Sequence, residues 1–384
     1  MATSGAGLSE QRVTWAELFF DLVWVLAVTQ IADALADAPS PIDAVRTVLL
    51  FLPLWWGWVG ATLVDNAAGT TVDTARGRLV LFSLAACGLS MAIAIPAAYD
   101  SRGFLFAGGY CALRILLWVR RRQVMDANVR VEPFAVSLFL AGPLFVLGAF
   151  ASADIRLVVW TGAVAVEVLA PALQTRSGGG SARFETAHLP ERFGLFLIIA
   201  LGETVVAVGA NATTTPLDPA TVVTLGLCFV IIVLLWWSYF HYGAPAARHS
   251  LSTDPVQARI ARDVFSYAHL VYVLGIICIA VGMKKALLHP LDPPHTLNEF
   301  LLAPGAALFL AGFCYARHRM FGAIGLPRFL GAIACVVVTV LSPLLAHAAS
   351  TALVAAILLT VNAVEAWRVE RGRPLLLLSL PRRG

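Results

Sequence analysis

The chain has 384 residues, of which 59% are hydrophobic and only 13% are Asp, Glu, Lys or Arg. Soluble domains carry about 25% charged residues and need a polar exterior, so a mean hydropathy of +0.81 excludes a soluble protein and makes lipid the main solvent. The formal net charge of +4 is small and sits between the apolar runs, which excludes nucleic acid as a partner and makes charge an indicator of topology.

Residues 1–13 are polar and short and show no cleavable signal peptide, so they are expected to be a cytoplasmic segment before a retained first span. A spanning helix needs about 20 mostly apolar residues. Twelve such runs are predicted, at 14–36, 41–64, 78–98, 103–121, 133–152, 156–174, 188–210, 220–241, 262–283, 299–317, 327–347 and 350–368. Proline and glycine mark the gaps, as at Pro39 to Pro41, Pro293 to Pro294 and Gly325 to Pro327. With the N-terminus in the cytoplasm, Arg76, Arg78, Arg120 to Arg122, Arg130, Arg248, Arg259, Arg262, Arg317, Arg319 and the basic tail fall inside. Arg46, Arg102, Arg156, Lys284 and Lys285 fall outside. The asymmetry follows the positive-inside rule and predicts that both termini are cytoplasmic.

The second half of the chain echoes the first. Glu17 matches Glu191, Trp55-Trp56 matches Trp236-Trp237, Phe82-Ser83 matches Phe265-Ser266, and AVEVL around Glu167 matches AVEAW around Glu365, all in the same order. Six helices is an even number, so the two copies insert with the same orientation. The expected fold class is therefore all-α: a polytopic integral membrane protein of about 12 transmembrane helices in two parallel six-helix repeats. Residues 14–174 form the first repeat, 175–187 a cytoplasmic linker, 188–368 the second repeat and 369–384 a basic cytoplasmic tail. The linker carries SGGGS at Ser177 to Ser181, which lacks the Lys-Ser/Thr ending of a phosphate loop and reads as flexible.

Charges inside apolar runs are the candidates for function, because each costs about 2.5–3.5 kcal/mol at the bilayer centre. Glu17 and Asp21 are one turn apart on one face of the first helix. Glu17 also suits a helix N-terminus, whereas Asp21 lies about 10 Å beyond Thr14 and needs an interior partner. In the seventh helix, His188, Glu191 and Arg192 sit at the cytoplasmic end and Glu203 lies near the midplane with no local counter-charge. Glu167 lies near the middle of helix six, Glu365 toward the inner end of helix twelve and Arg114 midway along helix four. Arg114 is expected to pair with Asp21 or Glu167, and Glu365 has Arg368 as a local partner. Glu17, Asp21, Glu191 and Arg192 are expected to converge on a cavity between the halves, with Glu203 at its floor. Aromatics gather toward the cytoplasmic side, among them Trp56 and Trp237. They suit either an interfacial belt or a cavity wall for an organic or cationic ligand. His241 and His269 lie at the same level, either as structural groups or as a relay pair. The six cysteines fall in apolar runs without a C-x-x-C pair, so neither a disulfide framework nor a thiolate metal site is expected.

ELFFDLVWVLAVTQIA from Glu17, WWGWVGATLVDN from Trp55, ERFGLFLIIALGET from Glu191 and LLWWSYF from Leu234 together resemble the bacterial low temperature requirement A (LtrA) family. The resemblance runs from Val13 to about Arg371 and implies a multi-pass bacterial inner-membrane protein. It carries the family's characteristic acids over as Glu17, Asp21, Glu191 and Glu203, with Arg192. His241 stands where the family pattern has an acid.

Three functions fit these residues. A secondary transporter or ion-coupled carrier is favoured by midplane carboxylates between two parallel halves. A membrane-embedded enzyme would use the same acids to protonate a lipid or isoprenoid and aromatic faces to shield a cation, with Asp21 and Glu203 as the catalytic candidates. A structural or stress-related membrane protein would turn nothing over. No nucleophile elbow, P-loop, H-E-x-x-H or aspartate-rich motif names a reaction, a metal or a cofactor. The partners expected are membrane lipid and a small organic or isoprenoid substrate. The residues specify neither the substrate nor the oligomeric state.

Overall fold

The computed structural model describes residues 13–68, 74–124, 133–176, 184–373 and 375–379. The SGGGS run and the last residues of the basic tail lie outside the described residues. Twelve long helices follow one another: α1 (Trp15–Ala36), α2 (Pro41–Ala68), α3 (Ala75–Ala97), α4 (Gly103–Val124), α5 (Pro133–Phe150), α6 (Ala153–Arg176), α7 (His188–Thr214), α8 (Pro219–Thr253), α9 (Gln257–Leu288), α10 (Leu302–Phe321), α11 (Leu326–Leu344) and α12 (His347–Glu370). Eleven of these described helices are long and apolar enough to cross a membrane. The exception is α10, the tenth run expected from the sequence. His318 and Arg319 in its last turn, with Arg317 before them, lower its hydropathy.

What α10 lacks in apolarity it makes up in packing. It lies antiparallel against α9. The backbones touch where a Cβ on Gly305 would stand 2.7 Å from the Gly275 carbonyl oxygen and from the Ile279 amide nitrogen. Small residues that let two backbones meet are the usual basis of helix association in lipid. Farther along, Gly312 abuts Tyr272, and Asp263 at the start of α9 binds Arg319 at the end of α10.

Elsewhere the helices pair as α1 with α3, α3 with α4, α2 with α6, α4 with α5, and α5 with α6. The later helices pair as α7 with α9, α9 with α10, α8 with α12, α10 with α11, and α11 with α12. The periphery is apolar: Phe150 is 74% and Val340 72% exposed. That is the reverse of a soluble surface and is what lipid requires. The core is aromatic. Phe193 of α7 lies edge-on to Trp58 of α2 at 4.8 Å and to the His269 ring of α9 at 4.9 Å. Three helices carry wide π-type turns, at Ser137–Ala141, Ser238–Gly243 and Ala261–Ala268. Such turns recur at functional sites. Among the described residues, one short antiparallel pair joins β1 (Ala323–Gly325) to β2 (Leu377–Ser379).

Candidate functional site

The first turn of α1 does two jobs. Thr14 caps the helix by accepting the Glu17 N–H at 3.3 Å, and Glu17 Oε2 accepts the Thr14 N–H in return at 2.9 Å. This reciprocal box would satisfy Glu17 by itself. Glu17 nevertheless turns its remaining capacity inward: Arg192 Nη1 donates to Oε1 at 3.2 Å, and His188 Nε2 lies 3.2 Å from Oε2. One turn on, Asp21 Oδ1 accepts from Arg192 Nη2 at 2.6 Å and from Trp58 Nε1 at 2.7 Å. Arg192 thus bridges both acids of α1, which their four-residue spacing sets on one face. Asp21 and Arg192 are wholly buried, and Glu17 and His188 are 1% exposed.

The end of α2 orients His188. Asn66 Oδ1 accepts the Glu185 N–H at 2.9 Å, which turns its amide nitrogen toward His188 Nδ1 at 3.2 Å. An amide nitrogen only donates, so Nδ1 accepts and the imidazole proton sits on Nε2, pointing at Glu17. Beside Asn66, the buried Asp65 Oδ1 stands 3.7 Å from Arg120 Nε of α4. Among the described residues, the two acids of α1 and Asp65 meet two guanidiniums and this histidine. That is three carboxylates against two guanidiniums. Asp21 Oδ2 and Asp65 Oδ2 are buried without a hydrogen-bond partner among the described residues.

The other sequence candidates are distributed more widely. Arg114 joins Glu167, not Asp21, and Tyr110 donates to the same carboxylate at 2.5 Å, making a second buried polar group within the first six helices. Glu365 joins Arg328, whose Nε and Nη2 donate to its two oxygens at 2.8 and 2.7 Å. Trp56 is buried edge-on to Tyr267. Glu203 is half-buried with no hydrogen bond or ion pair among the described residues, and it lies about 16 Å along α7 from Arg192. The convergence expected from the sequence therefore gathers Glu17, Asp21 and Arg192 but not Glu203, which shares their helix and not their depth. Glu191 is exposed, and Trp237 and His241 stack on each other at 5.0 Å on the outer surface. His269 does not face His241. Its Nδ1 donates to the Val264 carbonyl at 2.9 Å, and its Nε2 accepts the Tyr239 hydroxyl at 2.7 Å.

Trp58, Asp65, Asn66, Arg120 and His188 join the network without having been singled out for it. Asp65 and Asn66 sit at the fraying end of an apolar run, where a polar pair reads as a helix end. A register of polar residues on the Trp58 face of α2 is the signal that would have found them, since 58, 62, 65 and 66 fall on one side of a 3.6-residue helix. Among the described residues, no group of three or more His, Cys, Asp and Glu is placed to hold a metal ion.

The fold and the buried network define a multi-pass helical membrane protein with an ion-pair core linking its first two helices to its seventh. The chain belongs to the bacterial low temperature requirement A (LtrA) family, whose model matches residues 12–363. A relative described as uncharacterized protein RA0937, from Rhizobium meliloti (strain 1021), is 33% identical over 365 residues, covering 92% of this chain and 88% of that protein. No solved structure matches the chain.

Proposed function

We propose that the chain is a proton-coupled secondary carrier of the cytoplasmic membrane, with two parallel six-helix halves, twelve crossings and both termini cytoplasmic. The observation that carries the reading is the uneven charge of the buried network. A surplus negative charge in a low-dielectric interior is costly, and one bound proton removes it. The network sits between α1 and α2 of the first half and α7, the opening helix of the second. A proton gained or lost there changes the attraction that holds the halves together. That is the coupling an alternating-access carrier needs. The recurring helix pairings support the two-half architecture, and the antiparallel course of α10 along α9 supports a twelfth crossing.

The groups facing the network are Glu17 and Asp21 on α1, Trp58, Asp65 and Asn66 on α2, Arg120 on α4, and His188 and Arg192 on α7. Proteoliposomes holding the purified full chain and an internal pH dye test the reading. Addition of a small-metabolite extract should drive proton movement, and Asp21→Asn should abolish it while the variant still inserts as a monodisperse species. Metabolite uptake indifferent to a protonophore and to Asp21→Asn would overturn it.

A further inference from the structure

A second polar site lies on the other side of His269 from the charge network. The π-type turns of α8 and α9 open a cavity of about 180 Å³ between α8, α9, α10 and the start of α11. Its roof is Leu375 and Leu376, held down because the Leu326 N–H donates to the Leu376 carbonyl at 2.9 Å and β2 continues along β1. Its walls are aromatic, with Tyr239, Tyr242 and Phe313 facing in.

The polar groups of this cavity do not cancel. Arg328 is bidentate to Glu365 and lies over the Phe313 ring at 4.0 Å from its centroid. Arg317 also lines the cavity. Its guanidinium lies over the Phe321 ring at 5.4 Å and makes no hydrogen bond or ion pair among the described residues, and its Nε is buried. Two guanidiniums against one carboxylate leave one positive charge facing a space walled by rings. Tyr272 is 2% exposed and lines the same space, and its hydroxyl has no partner among the described residues. A phenol hydroxyl at that wall can donate to a ligand oxygen.

We propose that this cavity binds a small organic monoanion with an apolar body, such as an aromatic or branched carboxylate. Its oxygens would meet Arg317 and the Tyr272 hydroxyl, and its body would lie against Tyr239, Tyr242 and Phe313. The volume of about 180 Å³ lies below the roughly 300–1,000 Å³ of drug-sized pockets, and the leucine roof partly covers it, so a free acid fits better than the head of an anionic lipid. As a substrate site it rests on the carrier reading; as a binding site it stands on its own geometry. It also touches the charge network mechanically, since Tyr239 bonds His269, His269 packs on Phe193, and Phe193 packs on Trp58, which holds Asp21.

The test is equilibrium binding to the purified full chain in detergent, followed by thermal shift and intrinsic fluorescence, with benzoate, phenylacetate and isovalerate as probes. At least one acid should bind saturably while benzylammonium and benzyl alcohol do not. Arg317→Gln should weaken that acid at least tenfold, Arg317→Lys should restore part of the loss, and Tyr272→Phe should weaken it several-fold. The acid's affinity should be the same in nanodiscs of phosphatidylcholine and of phosphatidylglycerol. Competition by phosphatidylglycerol would assign the site to lipid and overturn the proposal, as would failure of all three acids, equal binding of benzylammonium, or unchanged binding in both Arg317→Gln and Tyr272→Phe. Binding without proton-coupled flux in proteoliposomes removes the carrier reading and leaves the site standing. Flux without binding does the reverse.

Discussion

Arg192 is the residue whose loss is hardest to compensate. It is wholly buried and is the cation that both Glu17 and Asp21 contact directly. Removing one partner of a buried pair costs about 3–5 kcal/mol, because the other charge stays behind unpaired. Arg192→Met is therefore expected to fail to fold or to lose most of its thermal stability in fluorescence-detected size exclusion. Adding Glu17→Gln and Asp21→Asn to it should recover much of that stability, since all three charges then go together. Equal damage in the single and triple variants would show that the charges are not coupled. Trp58→Phe removes a single hydrogen bond to Asp21, and interhelical hydrogen bonds in lipid are worth about 0.6 kcal/mol on average with a maximum near 1.7. It should shift the melting midpoint far less than Arg192→Met does. Glu17, Asp21 and Arg192 were legible in the sequence because a charge inside an apolar run has no local explanation. Arg328 was not, because an arginine at the edge of a run reads as a membrane-surface anchor. Only the folded chain brings it against Glu365, thirty-seven positions away. Glu203 is the opposite case: its isolation was legible, but isolation along one helix does not say which neighbours that helix meets.

At the scale of helices, small residues decide which pairs form. A Cβ on Gly305 would meet backbone atoms of α9, and backbone cannot step aside as a side chain can. Gly305→Ala should cost about 1–3 kcal/mol by overpacking and should lower the melting midpoint clearly. Gly108→Ala, where nothing lies within 4 Å of the new Cβ, should leave the midpoint unchanged. If the two variants melt alike, the close approach of α9 and α10 is wrong. The start of α8 offers a pH test outside the apolar segments. Asp218 caps it, and the Thr221 N–H, 2.8 Å from Oδ1, holds its carboxyl below the ordinary range. A lowered folded-state pKa adds stability above the unfolded value of about 3.9 and loses it as pH falls through the folded value. Hydrogen-exchange protection in the first turn of α8 should therefore drop on acidification below about pH 4, and Asp218→Ala should already lack it at neutral pH. Helix positions could be read from the sequence because apolar length is a local property. The wide turn at Ser238–Gly243 leaves a mark in Gly243 and in Pro245 just beyond it, whereas the one at Ala261–Ala268 contains neither glycine nor proline and leaves none.

For the whole molecule the decisive element is α10, because the parity of the bundle depends on it. Eleven crossings would put the ends of the chain on opposite sides, and twelve put them on the same side. Composition by itself favours eleven. Packing favours twelve. Along the antiparallel pair, Arg319 meets Asp263, Gly312 meets Tyr272, and Leu302 meets Gly282. From Asp263 to Gly282 is nineteen residues, at most about 28 Å at the α-helical 1.5 Å per residue because the wide turn at Ala261–Ala268 shortens the rise, and still near the 30 Å hydrocarbon thickness. A helix that follows α9 over that distance crosses whatever α9 crosses. It needs less apolar surface because much of it faces α9 and α11 instead of lipid. In the proposed twelve-crossing topology its arginines would gather on the side that also receives Arg120 to Arg122 and Arg368 to Arg373, in line with the positive-inside rule. Reporter fusions after Arg122, after Phe321 and after Arg373 should accordingly all read cytoplasmic. If α10 does not cross, the fusions after Phe321 and Arg373 read external while the one after Arg122 still reads cytoplasmic. That pattern would leave the charge network of α1, α2 and α7 intact but remove the six-plus-six architecture on which the carrier reading stands.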